Sequence, residues 1–467
     1  MKQQISALFL LLVFYSCKTI QVPTPVLDSK NLQAELSTIE PSTIQIATEL
    51  ALQPYLKEAE SSLDLKFSGE EKQCEGISYK YNFEREPLYF EFKHNNTISY
   101  QIDGRFDLSL SYCPSCHELF GEPSCVIPRL YASCGVGEPK RRVEIKYESK
   151  VSISNDFKLN SQTKLENFRL IDPCKITVFQ YNATETIEKE VRKSLVDLEK
   201  DIDKQLESAP VRQTVNEVWS ELQDSILVAP YGYFYLRPHT IGISNLRLEN
   251  NGKRATFLTQ IKANPVFSTH SLALPHVALP KNTPLQVQNE QSIIHLRSIA
   301  LYDSINKILE REIGKQTIEI TNKRSIQIDK VVLLGPQKER LVLAVDFSGT
   351  KRGRVFLIVT PYIDEQQHLK IKDVDYDIQT KSVLLHSAQW ILDSKLKELM
   401  VSGFDIDLNP IMNETKVAIE QQMNGEISKG VWLTTVINSL TVHDLLLSED
   451  HISIDLELIG HLKLKIK

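Results

Sequence analysis

The chain has 467 residues, of which 42% are hydrophobic and 24% charged, with a formal net charge of −6. That length exceeds one ordinary core and sets two domains as the expectation. With no long Lys/Arg run there is no electrostatic footprint for nucleic acid. No G-x-S-x-G, H-E-x-x-H, Walker A or G-x-G-x-x-G pattern occurs, so the chain reads as a non-enzyme without catalytic residues.

Residues 1–16 read as a signal peptide. Met1 and Lys2 give a positive start, and Ile5 to Tyr15 is an apolar run too short to span a bilayer. Ser16-Cys17 closes the run and resembles a bacterial lipoprotein cleavage site, although Phe14 stands where a small or branched aliphatic residue is usual. The resemblance makes Cys17 the acylated first residue of the mature chain and the membrane an expected partner. A plain cleaved signal with an incidental cysteine is the alternative. Lys18 is not the acid associated with inner-membrane retention, so an outer-membrane lipoprotein facing the periplasm is expected. Residues 17–41, with Pro, Thr, Ser and Gln from Val22 to Glu40, read as a flexible tether.

Strand patterns begin at Ser42, and Gln53 to Leu63 reads as a short helix. Strands follow at Ile77 to Phe83, Leu88 to Lys93, Thr97 to Ile102 and Phe106 to Tyr112. Cys74, Cys113, Cys116, Cys125, Cys134 and Cys174 are an even set in an exported chain, which favours three disulfides. Proximity suggests pairing among the middle four, leaving Cys74 with Cys174. Cys113-Pro-Ser-Cys116-His117 also fits the haem-attachment pattern, yet it follows a strand and lies among turns and further cysteines. Zinc and a C-x-x-C redox site are further alternatives. The favoured reading has no cofactor and no metal.

Strands resume at Arg142 to Ser154 and Ile176 to Tyr181. From Thr184 the period changes. Ile187, Val191, Leu195, Leu198, Ile202 and Leu206 form one stripe of an amphipathic helix about 33 Å long, which Pro210 ends. A second helical pattern runs through Val211, Val215, Val218, Trp219 and Leu222. Tyr231, Tyr233, Phe234 and Tyr235 form a candidate exposed aromatic patch or, equally, the lining of a barrel mouth, and a hairpin closes near Ala263. Pro275, Pro280 and Pro284 mark 271–289 as an extended connector.

The order then repeats. Ile294 and Leu296 begin a strand, Tyr302 to Ile313 is a helix, and strands run from Ile326 to Tyr376. A long helix is expected from Ser382 to Met400, with Leu385, Leu392 and Leu396 in its stripe. A weaker helix at Ile411 to Met423 and a closing hairpin follow. The repeat divides the chain into domains 42–270, with a Cys-rich insertion, and 290–467.

Cys134 to Ile145, Pro173-Cys174, Trp219 with Leu222, Leu279-Pro280, Phe347-Ser-Gly-Thr-Lys-Arg-Gly353, Pro361-Tyr-Ile-Asp364 and Ala388-Gln-Trp390 resemble an uncharacterised bacterial lipoprotein family, a domain of unknown function of about this length. That family is similar in layout to the tubular lipid-binding superfamily. The resemblance implies an α+β fold of two tandem domains, each a strongly curved antiparallel β-sheet wrapped around a long amphipathic helix. It also implies a lipid or other hydrophobic ligand in an apolar tunnel, with Ile187, Val191, Leu195, Leu198, Ile202, Leu385, Leu392 and Leu396 as lining candidates. A structural or adaptor lipoprotein that binds another envelope protein is the alternative. Asp373, Asp375 and Asp377 share one strand face and could bind calcium, though a solvated face with Val374, Tyr376 and Ile378 inward is favoured.

Overall fold

The computed structural model describes residues 19–28, 38–93, 96–119, 122–176, 181–228, 232–244, 246–249, 253–283, 285, 290–312, 316–321, 324–377, 380–381, 383–384, 397–398, 401–402 and 404–467. The fold is mostly β, two curled half-barrel sheets joined to a central mixed sheet, with few helices. The described helices are α1 (Gln53–Ser62), α2 (Thr184–Glu207), α3 (Val211–Glu221), α4 (Tyr302–Glu312) and α5 (Asn409–Met423).

The first sheet orders Leu159–Leu170, Arg141–Ile153, Thr97–Cys113, Gly76–Arg85 and Lys66–Glu71 side by side. Tyr89–Lys93 and Leu130–Cys134 also pair with the long strand Thr97–Cys113. The second sheet runs from Gln316–Thr321 through Arg324–Gln337, Arg340–Gly349, Arg352–Ile363 and His368–Tyr376 to Asp405–Asp407. In it, Leu341 to Val345 and Val355 to Val359 are unbroken apolar runs. Such runs belong to strands covered on both faces. One face packs Val345, Phe347, Leu357 and Val359 into the largest apolar cluster with Tyr302 of α4. Residues 19–28 run from this cluster, where Ile20 packs, onto the other face, where Val22 and Leu27 pack on Val342, Ala344 and Phe356.

The central sheet draws on both halves of the chain. Ser42–Ala51 pairs antiparallel with Arg254–Ala263, and Ser292–Leu301 pairs antiparallel with His451–Ile466. Each half thus returns its last hairpin to its own first strand. Ser42–Ala51 and His451–Ile466 join the two pairs in parallel. Arg297 and Asp455 face each other across this sheet in a two-pronged ion pair of 2.7 and 2.6 Å, with the Arg297 side chain 2% exposed.

Among the described residues no sheet wraps a long helix. α2 starts and ends as its stripe predicts, but it lies along an open sheet edge, and none of its residues is buried. A stripe records which face of a helix is apolar; it does not say whether a sheet encloses that face or merely flanks it. The expected helix 382–400 falls largely outside the described residues, as do Leu385, Leu392 and Leu396. The connector 271–289 has no helix or strand among its described residues, yet it is docked: Trp219 Nε1 donates to the Val277 carbonyl at 3.0 Å. Residues 19–28, expected within the tether, are also docked.

Candidate functional site

The first sheet has one apolar and one polar face. On the polar face, Lys140 bridges Glu84 and Asp107 at 3.2 and 3.3 Å, and Lys146 meets Glu91 at 3.6 Å. On the other, register aligns Val143 with Leu170, Ile145 with Ile102 and Phe168, Phe83 with Phe106, Tyr81 with Leu108, Tyr79 with Leu110, and Ile77 with Tyr112 and Leu130. Strand alternation makes this one continuous apolar surface.

α2 covers part of it. Ile187, Leu195 and Ile202 pack on Val143, Ile145, Tyr147, Phe168 and Leu170, and the Tyr147 hydroxyl donates to the Leu195 carbonyl at 3.0 Å. Burial raises the pKa of this phenol. Val191 and Leu198 are exposed, so the five candidates of the helix stripe do not share one apolar contact. The reason is that the sheet flanks α2 on one side only.

Polar bonds hold the helix in place. Leu159–Leu170 is an edge strand whose outward N–H groups lack a strand partner. Carboxylates of α2 accept them: Glu188 from Leu170 at 2.7 Å, Glu199 from Leu165 at 2.7 Å, Asp203 from Thr163 at 2.8 Å and Glu207 from Ser161 at 3.3 Å. Arg192 donates to the Phe168 carbonyl at 3.0 Å. From Glu188 to Glu207 the helix rises about 28 Å, and from Ser161 to Leu170 the strand extends about 30 Å. A register shift opposite Lys146 and Tyr147 leaves Glu166 unpaired in the strand, so the contacts step from Phe168 to Leu165 where the helix steps from Arg192 to Glu199.

Past the helix the apolar face continues uncovered. Phe67, Ile77, Tyr79, Tyr112 and Leu130 are exposed, Ile77 by 56% and Leu130 by 58%. Tyr81, Phe83, Leu108 and Leu110 between them are half-buried. Phe67 and Phe83 lie 6.2 Å apart and Tyr79 stacks on Tyr81 at 6.5 Å. From Phe83 to Ile77 the strip spans about 20 Å. The alternation at Ile77 to Phe83 and Phe106 to Tyr112 is legible as strand, whereas the strands that carry Phe67 and Leu130, and the exposure of the apolar side, are not.

Disulfides set the boundary. Cys74 pairs with Cys116, Cys113 with Cys125 and Cys134 with Cys174. Cys113–Cys125 keeps one bond within the middle four, but Cys116 and Cys134 pair outside that group, so the expected Cys74–Cys174 bond is corrected: the fold brings Cys116 and Cys134 to partners 42 and 40 residues away in the chain. Cys134 lies opposite Leu108 on the apolar face, while the Cys174 carbonyl accepts the Ala183 N–H at the start of α2. This bond fixes where coverage by the helix begins. Asp172 locks the same turn through paired bonds from Arg142, which hold its carboxyl far below the usual range. Cys113 and Cys116 sit in different disulfides, so their run with His117 has no free thiol for haem, zinc or redox exchange.

Other candidates resolve into ion pairs and core. Asp375 accepts from Lys381 and Lys397, each at 2.8 Å, and Asp373 from Arg340 at 3.0 Å, with Val374 and Tyr376 buried behind them. Ile378 lies outside the described residues. No group of three or more potential metal ligands occurs among the described residues. Tyr235 is buried with its hydroxyl accepting the Leu272 N–H, which removes it from the proposed surface patch; Tyr231 is outside the described residues.

The fold and this face define an extracytoplasmic, disulfide-bonded, mostly β protein with a partly open apolar sheet. The chain belongs to the family described as Domain of unknown function (DUF4403), which matches residues 40–466. No curated protein matches it. Among solved structures it is similar to a lipopolysaccharide binding protein, with 10% identity and a TM-score of 0.26 over 92% of this chain and 100% of that one. It is also similar to P47 from Clostridium botulinum A2, with 10% identity and a TM-score of 0.18 over 89% and 96%. Neither likeness is close enough to carry a functional argument. Among the described residues no helix is long and apolar enough to cross a membrane.

Proposed function

We propose that this chain is an envelope lipoprotein, anchored through Cys17, that holds the acyl chain of a lipid against the uncovered end of its first sheet. One observation carries the reading: the apolar face beyond Cys134 remains open, with Phe67, Ile77, Tyr79, Tyr112 and Leu130 exposed along it. An acyl chain laid on this strip gains about 0.8 kcal/mol per buried methylene. Tyrosines suit such a site, since each presents an apolar ring and a polar tip where lipid meets water. The site is an open trough rather than the tunnel implied by the layout, because α2 sits at the sheet edge.

Ile77→Asp with Tyr112→Asp tests the proposal. Both positions are exposed, and circular dichroism of the variant checks that its fold is kept, since the two residues face each other across the strand pair. Uptake of a fluorescent phospholipid from vesicles should fall at least tenfold, and unchanged uptake by the folded variant refutes the site. The adaptor reading is favoured by exposed Val126, Ile127 and Tyr131 in the Cys-rich segment. It requires a lipid-free chain and an envelope protein partner on those residues.

A further inference from the structure

Residues 19–28 are bonded to the second sheet at both ends, with Val22 and Leu27 packed on it between. Thr19 and Ile20 pair in parallel with Arg352 and Gly353, on a part of that strand that His368–Tyr376 does not reach. Ile20 is 4% exposed within the main apolar cluster. Gly353 permits this approach: a Cβ there would stand 2.4 Å from the Ile20 carbonyl oxygen. At the far end the Asp28 N–H donates to the Pro336 carbonyl at 2.8 Å, and Gln337 Nε2 donates to the Val26 carbonyl at 3.0 Å.

The parallel register gives the strap a direction. Traced backwards from Thr19, it leads to the turn Gly349-Thr350-Lys351-Arg352. Cys17 is two residues before Thr19 and can lie at most about 7 Å beyond it. That turn holds no acid. It carries Lys351 and Arg352, which form no ion pair among the described residues. Basic groups beside an acyl anchor complement anionic headgroups.

We infer that residues 19–28 are a rigid strap and that the 349–352 turn faces the anionic bilayer holding the Cys17 anchor. This rests on the lipoprotein reading above. The strap gives the anchored molecule a set orientation, with the second sheet's turn at the headgroups.

The test uses the full mature chain purified with its native N-terminus and reconstituted in phosphatidylethanolamine–phosphatidylglycerol vesicles. Mass analysis of the N-terminal peptide comes first; an unmodified Cys17 overturns both the anchor and this inference. With acylation present, a fluorophore on Thr350→Cys should be quenched by doxyl lipid at least threefold more than one on Tyr131→Cys. Equal quenching overturns the orientation alone and leaves the anchor standing. Gly353→Val, which displaces Ile20 but not the acyl group, should remove the difference between the two labels; a difference that persists overturns the strap's role.

Discussion

The carboxylate of Asp203 accepts the backbone N–H of Thr163 at 2.8 Å, and this contact explains why α2 lies where it does. A helix side chain completes the valence of an edge strand. The second half uses the same device: Glu420 of α5 accepts the Ile437 N–H at 2.7 Å, and Asn424 bonds both backbone groups of Thr435. In both halves an amphipathic helix closes the edge of a sheet, which blocks strand addition from another chain.

Removing these acceptors should open the edge. Glu199→Ala and Asp203→Ala each leave a backbone N–H unpaired, at a cost of about 1–3 kcal/mol. Denaturant unfolding should register the loss, with faster amide exchange at Thr163 and Leu165. Glu199→Gln and Asp203→Asn keep an acceptor and should lose much less. Equal losses in the two series would show that the helix is held by its apolar contacts alone.

The Cys134–Cys174 bond joins strand Leu130–Cys134 to the start of α2 over a separation of 40 residues. Replacing both cysteines by serine should destabilise the chain by about 2–5 kcal/mol. A loosened helix start should also raise protease cleavage between Cys174 and Arg192. A variant with the parent's melting temperature and cleavage pattern would contradict that role.

Trp219 is fully buried, and its indole N–H is satisfied by Val277 of the connector. Trp219→Ala should cost about 3–5 kcal/mol through the cavity it leaves. Trp219→Phe retains most of the volume and should cost less. The ranking is read from midpoints of urea unfolding.

His368 Nδ1 lies 2.5 Å from Asp405, and this hydrogen bond raises the imidazole's pKa above its ordinary value. A folded-state pKa above the unfolded one means that protonation favours the fold. The contribution is full below the unfolded value and is lost as pH rises through the folded value. NMR titration should find His368 above 6.5, the reference value, and Asp405→Asn should bring it down. An unshifted titration in the parent chain would contradict the pairing.

Much of this architecture can be read from residues. The 3.6-residue period of Ile187 to Leu206 marks α2 to its ends, and the repeated order of strands and helices foreshadows the two equivalent strand pairs of the central sheet. The helix's partner is not legible, because periodicity reports an apolar face and not what lies against it. The open end of the site is hidden for the same reason: Ile77, Tyr79, Tyr81 and Phe83 alternate like any half-buried strand, and it is the position of α2 along the far edge strand of the sheet that leaves Ile77 and Tyr79 exposed. The docking of residues 19–28 does leave a trace, since Leu341 to Val345 is apolar at every position and needs cover on both faces. Disulfide pairing leaves a trace only at Cys113–Cys125, 12 residues apart; the other two bonds join cysteines 42 and 40 residues apart that only the fold brings together.

Native mass spectrometry of the chain purified from an envelope, without refolding, tests the central claim most directly. Lipid binding predicts phospholipid or another acyl species retained at near-stoichiometric amounts and lost from the Ile77→Asp/Tyr112→Asp variant. A folded, lipid-free parent chain, or equal retention by the variant, would contradict it.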